Sequence, residues 1–369
     1  MYGYGSADLA YRFQWTYPVM VSPHNPKVLY ATSQYVHRST DQGASWQVIS
    51  PNLSRSDPAT LEKTPTMDDL SIGKDWGPIK RDNTGVEWYG TIFALAESPV
   101  KAGVLWSGSD DGYVQLSTDN GKTWKNVTPK DMPAFARISI IDASPHNPAT
   151  AYVAALKYKQ DDFHPYLYRT SDYGKTWSKI TQGIPADEFT RVIREDPKRR
   201  GLLYAGTEKG IYVSFNDGAL WQPIQLNLPV VPIHDLAIQG TDLVAATHGR
   251  SFWILDDLTI LHQLTDEVQK SAVHLFKPRP TVRFKAGLDP AIKPVPNGAT
   301  ELGKNPPNGV KVVYFLSEKP KAPISLDFLD ASGQLIKSYK SNSSSTTAPL
   351  SSSAIAPKIL RANLKCASR

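Results

Sequence analysis

Three carboxylates, Asp110, Asp111 and Glu208, stand in short polar turns between the apolar runs of this 369-residue chain, and a fourth, Glu87, stands near the end of a long loop. Two such groups facing each other across a groove at roughly 5 to 10 Å can work on a glycosidic bond, one as acid and the other as base or nucleophile. A second set, Trp15, Glu87, Tyr89, Arg137, Arg191, His234, His248 and Arg250, has the chemistry of recognition. Arginine grips carboxylates through paired N–H donors, and aromatic rings stack on flat ligand faces. Other chemistries find no support. Cys366 is the only cysteine, so neither a disulfide framework nor a cysteine-held metal is expected. None of the 8 His falls in a His-x-His or His-Glu-x-x-His pair. The Gly-Lys-Thr runs at 121–123 and 174–176 lack the glycine of a phosphate loop, since Leu116 and Arg169 stand where it would be. No metal and no cofactor is expected.

The elements that must position these groups are repetitive. Ser39-Thr40-Asp41-Gln42-Gly43-Ala44-Ser45-Trp46 returns as Ser117-Thr118-Asp119-Asn120-Gly121-Lys122-Thr123-Trp124 and as Thr170-Ser171-Asp172-Tyr173-Gly174-Lys175-Thr176-Trp177. A degenerate copy reads Ser214-Phe215-Asn216-Asp217-Gly218-Ala219-Leu220-Trp221. Each predicts a tight turn between two strands. The Asp or Asn side chain accepts backbone N–H bonds, the glycine takes positive φ, and the Trp re-enters the next strand to pack apolar surface. Asp41, Asp119, Asp172 and Asn216, with Trp46, Trp124, Trp177 and Trp221, are therefore read as structural.

Upstream, Ser22-Pro23-His24-Asn25-Pro26 recurs as Ser144-Pro145-His146-Asn147-Pro148, with echoes at Ser98-Pro99 and Asp196-Pro197, each flanked by β-rich runs. The units span residues 15–50, 89–128, 136–181 and 188–225. A fifth, 231–261, keeps its strands and has lost the turn motif. Four strands in about 40 residues is the period of a propeller blade. Composition agrees, because 24 Gly, 29 Pro, 17 Tyr, 11 Phe and 9 Trp against 4 Met favour strands and turns over helices. The fold class is all-β, a β-propeller of about five blades.

These four turns resemble the Asp-box, or BNR, repeat of sialidase-like and sortilin-like β-propellers. The runs Thr247-His248-Gly249-Arg250-Ser251-Phe252-Trp253-Ile254-Leu255-Asp256-Asp257-Leu258 and Asp82-Asn83-Thr84-Gly85-Val86-Glu87-Trp88-Tyr89-Gly90-Thr91-Ile92-Phe93 resemble a group of bacterial proteins labelled glycosyl hydrolase or sortilin N-terminal-domain proteins. The likeness covers about residues 1–340. It implies further blades upstream, so the chain is expected to be the C-terminal part of a longer propeller and to pack against those blades. It also implies a secreted or periplasmic location. The cysteine-rich module of sortilin receptors has no counterpart here.

Residues 1–264 are thus the blades, 265–309 a Pro, Gly and Lys-rich linker, 310–340 a partial immunoglobulin-like β module, and 341–369 a disordered Ser/Thr-rich tail. Charge divides along the same line. After residue 270 there are 15 Lys and Arg against 5 Asp and Glu, and before it 26 against 30. The slight net acidity of the blades argues against a nucleic-acid groove in them, since phosphate binding needs clustered basic side chains, and no nucleic-acid partner is expected. No run of 18 apolar residues exists, so no membrane span is expected, and the N-terminus has no signal-peptide pattern.

With the Asp-box between the third and fourth strands, the blade-entry loops and the second-to-third-strand turns share the opposite face. That face carries Trp15, Glu87, Tyr89, Arg137, Arg191, His234, His248 and Arg250 around the channel mouth, and the long loop 51–88 beside it. A sialidase would need an arginine triad with a Tyr and Glu pair, for which Arg137, Arg191, Arg250, Tyr89 and Glu87 could serve, yet the Arg-Ile-Pro signature is absent. A xyloglucanase-like glycosidase would place Glu87, Asp110, Asp111 or Glu208 in a cleft between two propellers. The sequence favours a noncatalytic binding or scaffold propeller, sortilin-like, for a peptide, protein or carbohydrate ligand, with a glycoside hydrolase as the alternative.

Overall fold

The computed structural model describes residues 5–61, 88–281 and 309–341, together with the backbone of 364–367. Five four-stranded antiparallel sheets follow one another along the chain. The first holds β1 (Val19–Val21), β2 (Leu29–Thr32), β3 (Val36–Ser39) and β4 (Gln47–Val48). The second holds β5 (Ile92–Glu97), β6 (Leu105–Ser109), β7 (Val114–Ser117) and β8 (Lys125–Asn126). The third holds β9 (Arg137–Ala143), β10 (Ala151–Lys157), β11 (Asp162–Thr170) and β12 (Ser178–Lys179). The fourth holds β13 (Thr190–Glu195), β14 (Leu203–Thr207), β15 (Ile211–Ser214) and β16 (Gln222–Pro223). In the fifth, β17 (Ile233–Gln239), β18 (Asp242–Thr247) and β19 (Phe252–Leu255) are consecutive. The innermost strands β5, β9, β13 and β17 lie side by side in that order, the arrangement of propeller blades.

The Asp-box physics is local and is repeated in the first four blades. In the second, Asp119 Oδ1 accepts from Ser117 Oγ and Thr123 N (both 2.9 Å), and Oδ2 accepts from Thr123 Oγ1 at 2.6 Å. Asp41 does the same with Ser39 and Ser45, and Asp172 with Thr170 and Thr176. The hydroxyl and amide donors hold the carboxyls of Asp41 and Asp119 down at about 2. Asn216 keeps the bonds from Ser214 Oγ and Leu220 N, but Leu220 has no hydroxyl to complete the set.

Three of the four box Trp side chains, Trp124, Trp177 and Trp221, then cross to the preceding blade. The indole N–H of Trp124 donates to Ile49 O (3.2 Å), that of Trp177 to Val127 O (2.6 Å) and that of Trp221 to Ile180 O (2.7 Å). The repeated Ser-Pro-His-Asn-Pro turns stitch forward: His24 Nε2 meets Ser98 O at 2.7 Å and His146 Nε2 meets Asp196 O at 2.8 Å. Between blades the sheets press closely. A Cβ at Gly108 would stand 2.3 Å from Ile138, and one at Gly206 would stand 2.7 Å from Ile233, so these strands need glycine. Buried cores fill the junctions, one with Trp106, Val153 and Tyr168, the next with Tyr152, Leu203 and Trp221, and a third with Tyr204, Val231 and Leu255.

Three differences from the sequence reading concern the C-terminal region. Within the expected linker, α2 (Asp266–Lys270) follows α1 (Thr259–Gln263), and β20 (Val273–Leu275) follows α2. They form because Ile260, Leu264, Val268 and Phe276 bury together beside Phe215 of the fourth blade. The strand β21 (Tyr314–Leu316) pairs with β20, leaving β22 (Ser325–Leu329) and β23 (Leu335–Lys340) as a separate, largely exposed hairpin. Most of the expected tail lies outside the described residues, but β24 (Leu364–Ala367) pairs antiparallel with β19, with Trp253 opposite Cys366, as the fourth strand of the last blade. An unpaired β19 edge offers a free hydrogen-bond ladder, which a distant segment can complete. Among the described residues, no helix is long and apolar enough to cross a membrane.

Candidate functional site

In each of the first four blades the first-to-second-strand turn and the Asp-box fall at one end, and the strand entry and second-to-third-strand turn at the other. Arg137 pairs with Leu156 and Lys157 with Asp162, placing the start of β9 beside the β10–β11 turn. This entry face holds a cavity of about 140 Å³ lined by Tyr89, Phe93, Asp110, Phe135, Arg137 and Lys157, among others.

Arginines and aromatic rings alternate along this face. Arg55, from the start of the long loop, lies 4.4 Å from the Tyr113 ring centre and 4.7 Å from that of Phe135. Arg137 lies 4.6 Å over Phe93, and Arg191 lies 4.9 Å over Phe189 and 5.4 Å over Tyr158, whose rings stack on each other at 4.8 Å. Such stacking holds each guanidinium flat. Burial lowers the Arg137 pKa, and its Nε is enclosed with no hydrogen-bond partner, while Arg191 is engaged by Glu208 at 2.6 Å.

The carboxylates are turned to internal use. Asp111 is fully buried and accepts from the backbone N–H groups of Arg55 (3.0 Å) and Ser56 (3.1 Å), anchoring the base of the long loop. Asp110, only 5% exposed, accepts from Gly90 N, Thr91 N and Thr91 Oγ1 at 2.8 to 3.1 Å. Burial dominates over these bonds and pushes its carboxyl up to about 7. Burial, then the neighbouring Asp111 and Asp110, also raises the Tyr89 hydroxyl pKa. Glu208 is tied to Arg191 by two guanidinium contacts, and Glu87 lies outside the described residues.

The rest of the expected set lies outside that cavity. Trp15 sits in a turn ahead of β1 and is 66% exposed; it does not begin the innermost strand, which starts at Val19. His234 and His248 contact each other edge to face with their ring nitrogens 3.2 Å apart, and burial, then Arg191, depresses the His234 pKa. Arg250 is exposed at the β18–β19 turn. Tyr89, Asp110 and Arg137 are the members brought to one cavity. Among the described residues, no three His, Cys, Asp or Glu side chains are grouped to hold a metal ion.

The sequence reading passed over Arg55, Phe93, Phe135, Tyr158 and Phe189. A signal was present: Phe135-Ala136-Arg137 and Phe189-Thr190-Arg191 repeat a Phe-x-Arg spacing at the entries of consecutive blades. Arg12, also passed over, is buried and pins the N-terminal segment to this face through Gly90 O, Ser54 and Ser56.

Comparison with known proteins agrees with the repeat. The BNR/Asp-box repeat model matches residues 115–126, the second of the four turns. The chain is 34% identical over 88 residues, 23% of its length, to a probable oligoxyloglucan-reducing end-specific xyloglucanase of Neosartorya fischeri. It is 24% identical over 182 residues, 46% of its length, to the oligoxyloglucan-reducing end-specific xyloglucanase of Emericella nidulans. These stretches span 10% and 22% of the two relatives. Solved structures similar to it include the GH74 xyloglucanase of Xanthomonas campestris (19% identity, 65% of this chain and 36% of that one, TM-score 0.45). Another is YCF48 of Cyanidioschyzon merolae (19% identity, 45% and 53%, TM-score 0.35). The five four-stranded sheets and their boxes define an Asp-box β-propeller architecture.

Proposed function

We propose that the chain is a noncatalytic binding propeller whose entry face takes an oligosaccharide. One observation carries this reading: arginines and aromatic rings alternate from Tyr113 to Phe189 while Asp110, Asp111 and Glu208 of the same face serve internal bonds. Rings stack on sugar faces, and stacked guanidinium groups donate to ring hydroxyls. The stretches similar to xyloglucan-acting proteins support a glucan as the ligand. Export to the periplasm or beyond is part of the same proposal.

Calorimetric titration with xyloglucan oligosaccharides tests it. Binding is expected to weaken about tenfold or more in Arg137→Ala, a loss of roughly 1.4 kcal/mol for a charge-assisted contact. Absence of binding, or an unchanged affinity in Arg137→Ala, would reject the reading. A second reading has its own observation, since Asp110 lines the cavity with a carboxyl at about 7, suited to a general acid. A glycoside hydrolase would release reducing sugar from xyloglucan and lose that release, but not binding, in Asp110→Asn.

A further inference from the structure

A groove of about 830 Å³ lies on the outer side of the molecule, away from the entry face. It runs between the outermost strand of the second blade and the Asp-box of the third. Lys101, Lys125, Lys130 and Lys175 line it, all exposed, against one carboxylate, Asp131. That excess of cations occurs within the part of the chain where acids outnumber bases. Thr118, Thr128 and Asn126 add hydroxyl and amide groups, and the partly buried rings of Tyr173 and Trp177 complete the lining. Trp177 is held rigid by its bond to Val127 O and by edge-to-face contact with the fully buried Trp106 at 6.2 Å.

The next junction shows that such an opening is not an automatic product of the repeat. There the segment after β12 closes over the equivalent ring. Trp221 N donates to Gln182 O at 2.9 Å, a Cβ at Gly183 would stand 2.3 Å from Trp221 O, and Trp221 is only 2% exposed. At the second junction the corresponding segment carries Lys130 and Asp131 and leaves the groove open.

We propose that this groove binds an anionic polysaccharide, a sugar chain bearing uronate carboxylates or sulfate esters. The lysines supply charge without directional demands and suit a flexible polyanion, while the hydroxyls, the amide and the rings suit the sugar units between charges. The site is separate from the entry face and does not depend on the function proposed for it.

The test is titration of the whole chain with oligogalacturonate and, in a second arm, with a heparin oligosaccharide; which arm binds distinguishes carboxylate from sulfate. Binding in either arm is expected to weaken steeply with added salt and at least tenfold in Lys125→Glu/Lys175→Glu. The control Lys27→Glu/Lys198→Glu makes the same change of net charge at exposed positions outside the groove and is expected to keep the affinity. All four lysines are exposed, so equal thermal midpoints are expected for both variants. No binding in either arm, equal loss in the control, or equally tight binding of neutral dextran, poly-aspartate or a single-stranded oligonucleotide would overturn the proposal.

Discussion

Trp46 and Trp221 occupy the same position of the same turn, yet Trp46 is 43% exposed and Trp221 only 2%. Both follow a Gly in positive φ and re-enter a short fourth strand. What differs is the neighbour. Trp221 rests against the third blade and bonds to Ile180, whereas on the side of Trp46 the first sheet has no preceding sheet among the described residues. Around Trp46, Val19, Val21 and Val48 are 45 to 64% exposed, and on the fifth sheet Phe252 is 53% exposed. No described hydrogen bond joins these two sheets. The turn is thus set by its own residues, but the worth of its tryptophan comes from the blade beside it. Apolar area must leave water to stabilise anything.

Truncating the two rings separates the turn's contribution from the junction's. Trp221→Ala is expected to cost about 3 to 5 kcal/mol, through lost burial and the cavity left behind. Trp46→Ala is expected to cost well under 1 kcal/mol, as surface changes do. Urea denaturation measures both. Equal shifts would show that the tryptophan serves its own turn and not the junction.

The acids show the same division between enclosed and open sites, with opposite pH signs. Asp110 is enclosed and titrates at about 7 against 3.8 when free. Between those values the folded state holds the extra proton. Stability therefore falls as pH rises from about 4 to 7, by at most about 4 kcal/mol at roughly 1.4 per unit. Asp110→Asn is expected to flatten that slope in thermal melts. Asp41 and Asp119, at the surface, sit at about 2 and behave inversely. Their contribution is present above the free value and is lost as pH falls through about 2. An unchanged neutral slope in Asp110→Asn would mean that its backbone bonds outweigh its burial.

Asp110 also marks where the sequence stopped being legible. The blades could be read because an Asp-box closes on itself within eight residues, and Ser117, Asp119, Gly121 and Thr123 satisfy one another. The entry face could not, because its contacts join residues far apart in the chain. Asp111 reads as a free carboxylate until Arg55 and Ser56 reach it across some 55 positions. Glu208 reads as a catalytic candidate until Arg191 is found on it. The fourth strand of the last blade lay beyond pattern reading altogether, since residues 364–367 sit more than a hundred positions past β19 in a region of disorder-like composition.

The exposed blade faces invite a third measurement. Contiguous apolar surface and open strand edges promote association. Size-exclusion chromatography with light scattering is expected to show concentration-dependent self-association. Val19→Lys/Val21→Lys is expected to shift the population toward monomer. A compact monomer at all concentrations would show that the faces around Trp46 and Phe252 are satisfied within the chain, and the contrast with Trp221 would then need another cause.

The smallest expected effect isolates the turn from the junction. At Trp221 the junction is sealed but the box is incomplete, because Asn216 holds Leu220 N at 3.0 Å and Leu220, 42% exposed, offers no hydroxyl. In the second and third blades that hydroxyl bond is 2.6 Å long and ends on a carboxylate, the shorter and stronger kind of hydrogen bond. Asn216→Asp/Leu220→Thr rebuilds the full set in a blade whose tryptophan is already buried, so any change belongs to the turn alone. The expected gain is at most about 1 kcal/mol at neutral pH, the net worth of one added bond. It should fade as pH falls through about 2, the value of the equivalent carboxyls of Asp41 and Asp119. Each single substitution should fall short of the pair, since Asp without a hydroxyl lacks a donor and Thr beside Asn lacks a charged acceptor. If the pair gains nothing at any pH, the hydroxyl bonds seen in the other three boxes accompany the turn without stabilising it, and the blade junctions supply the stability.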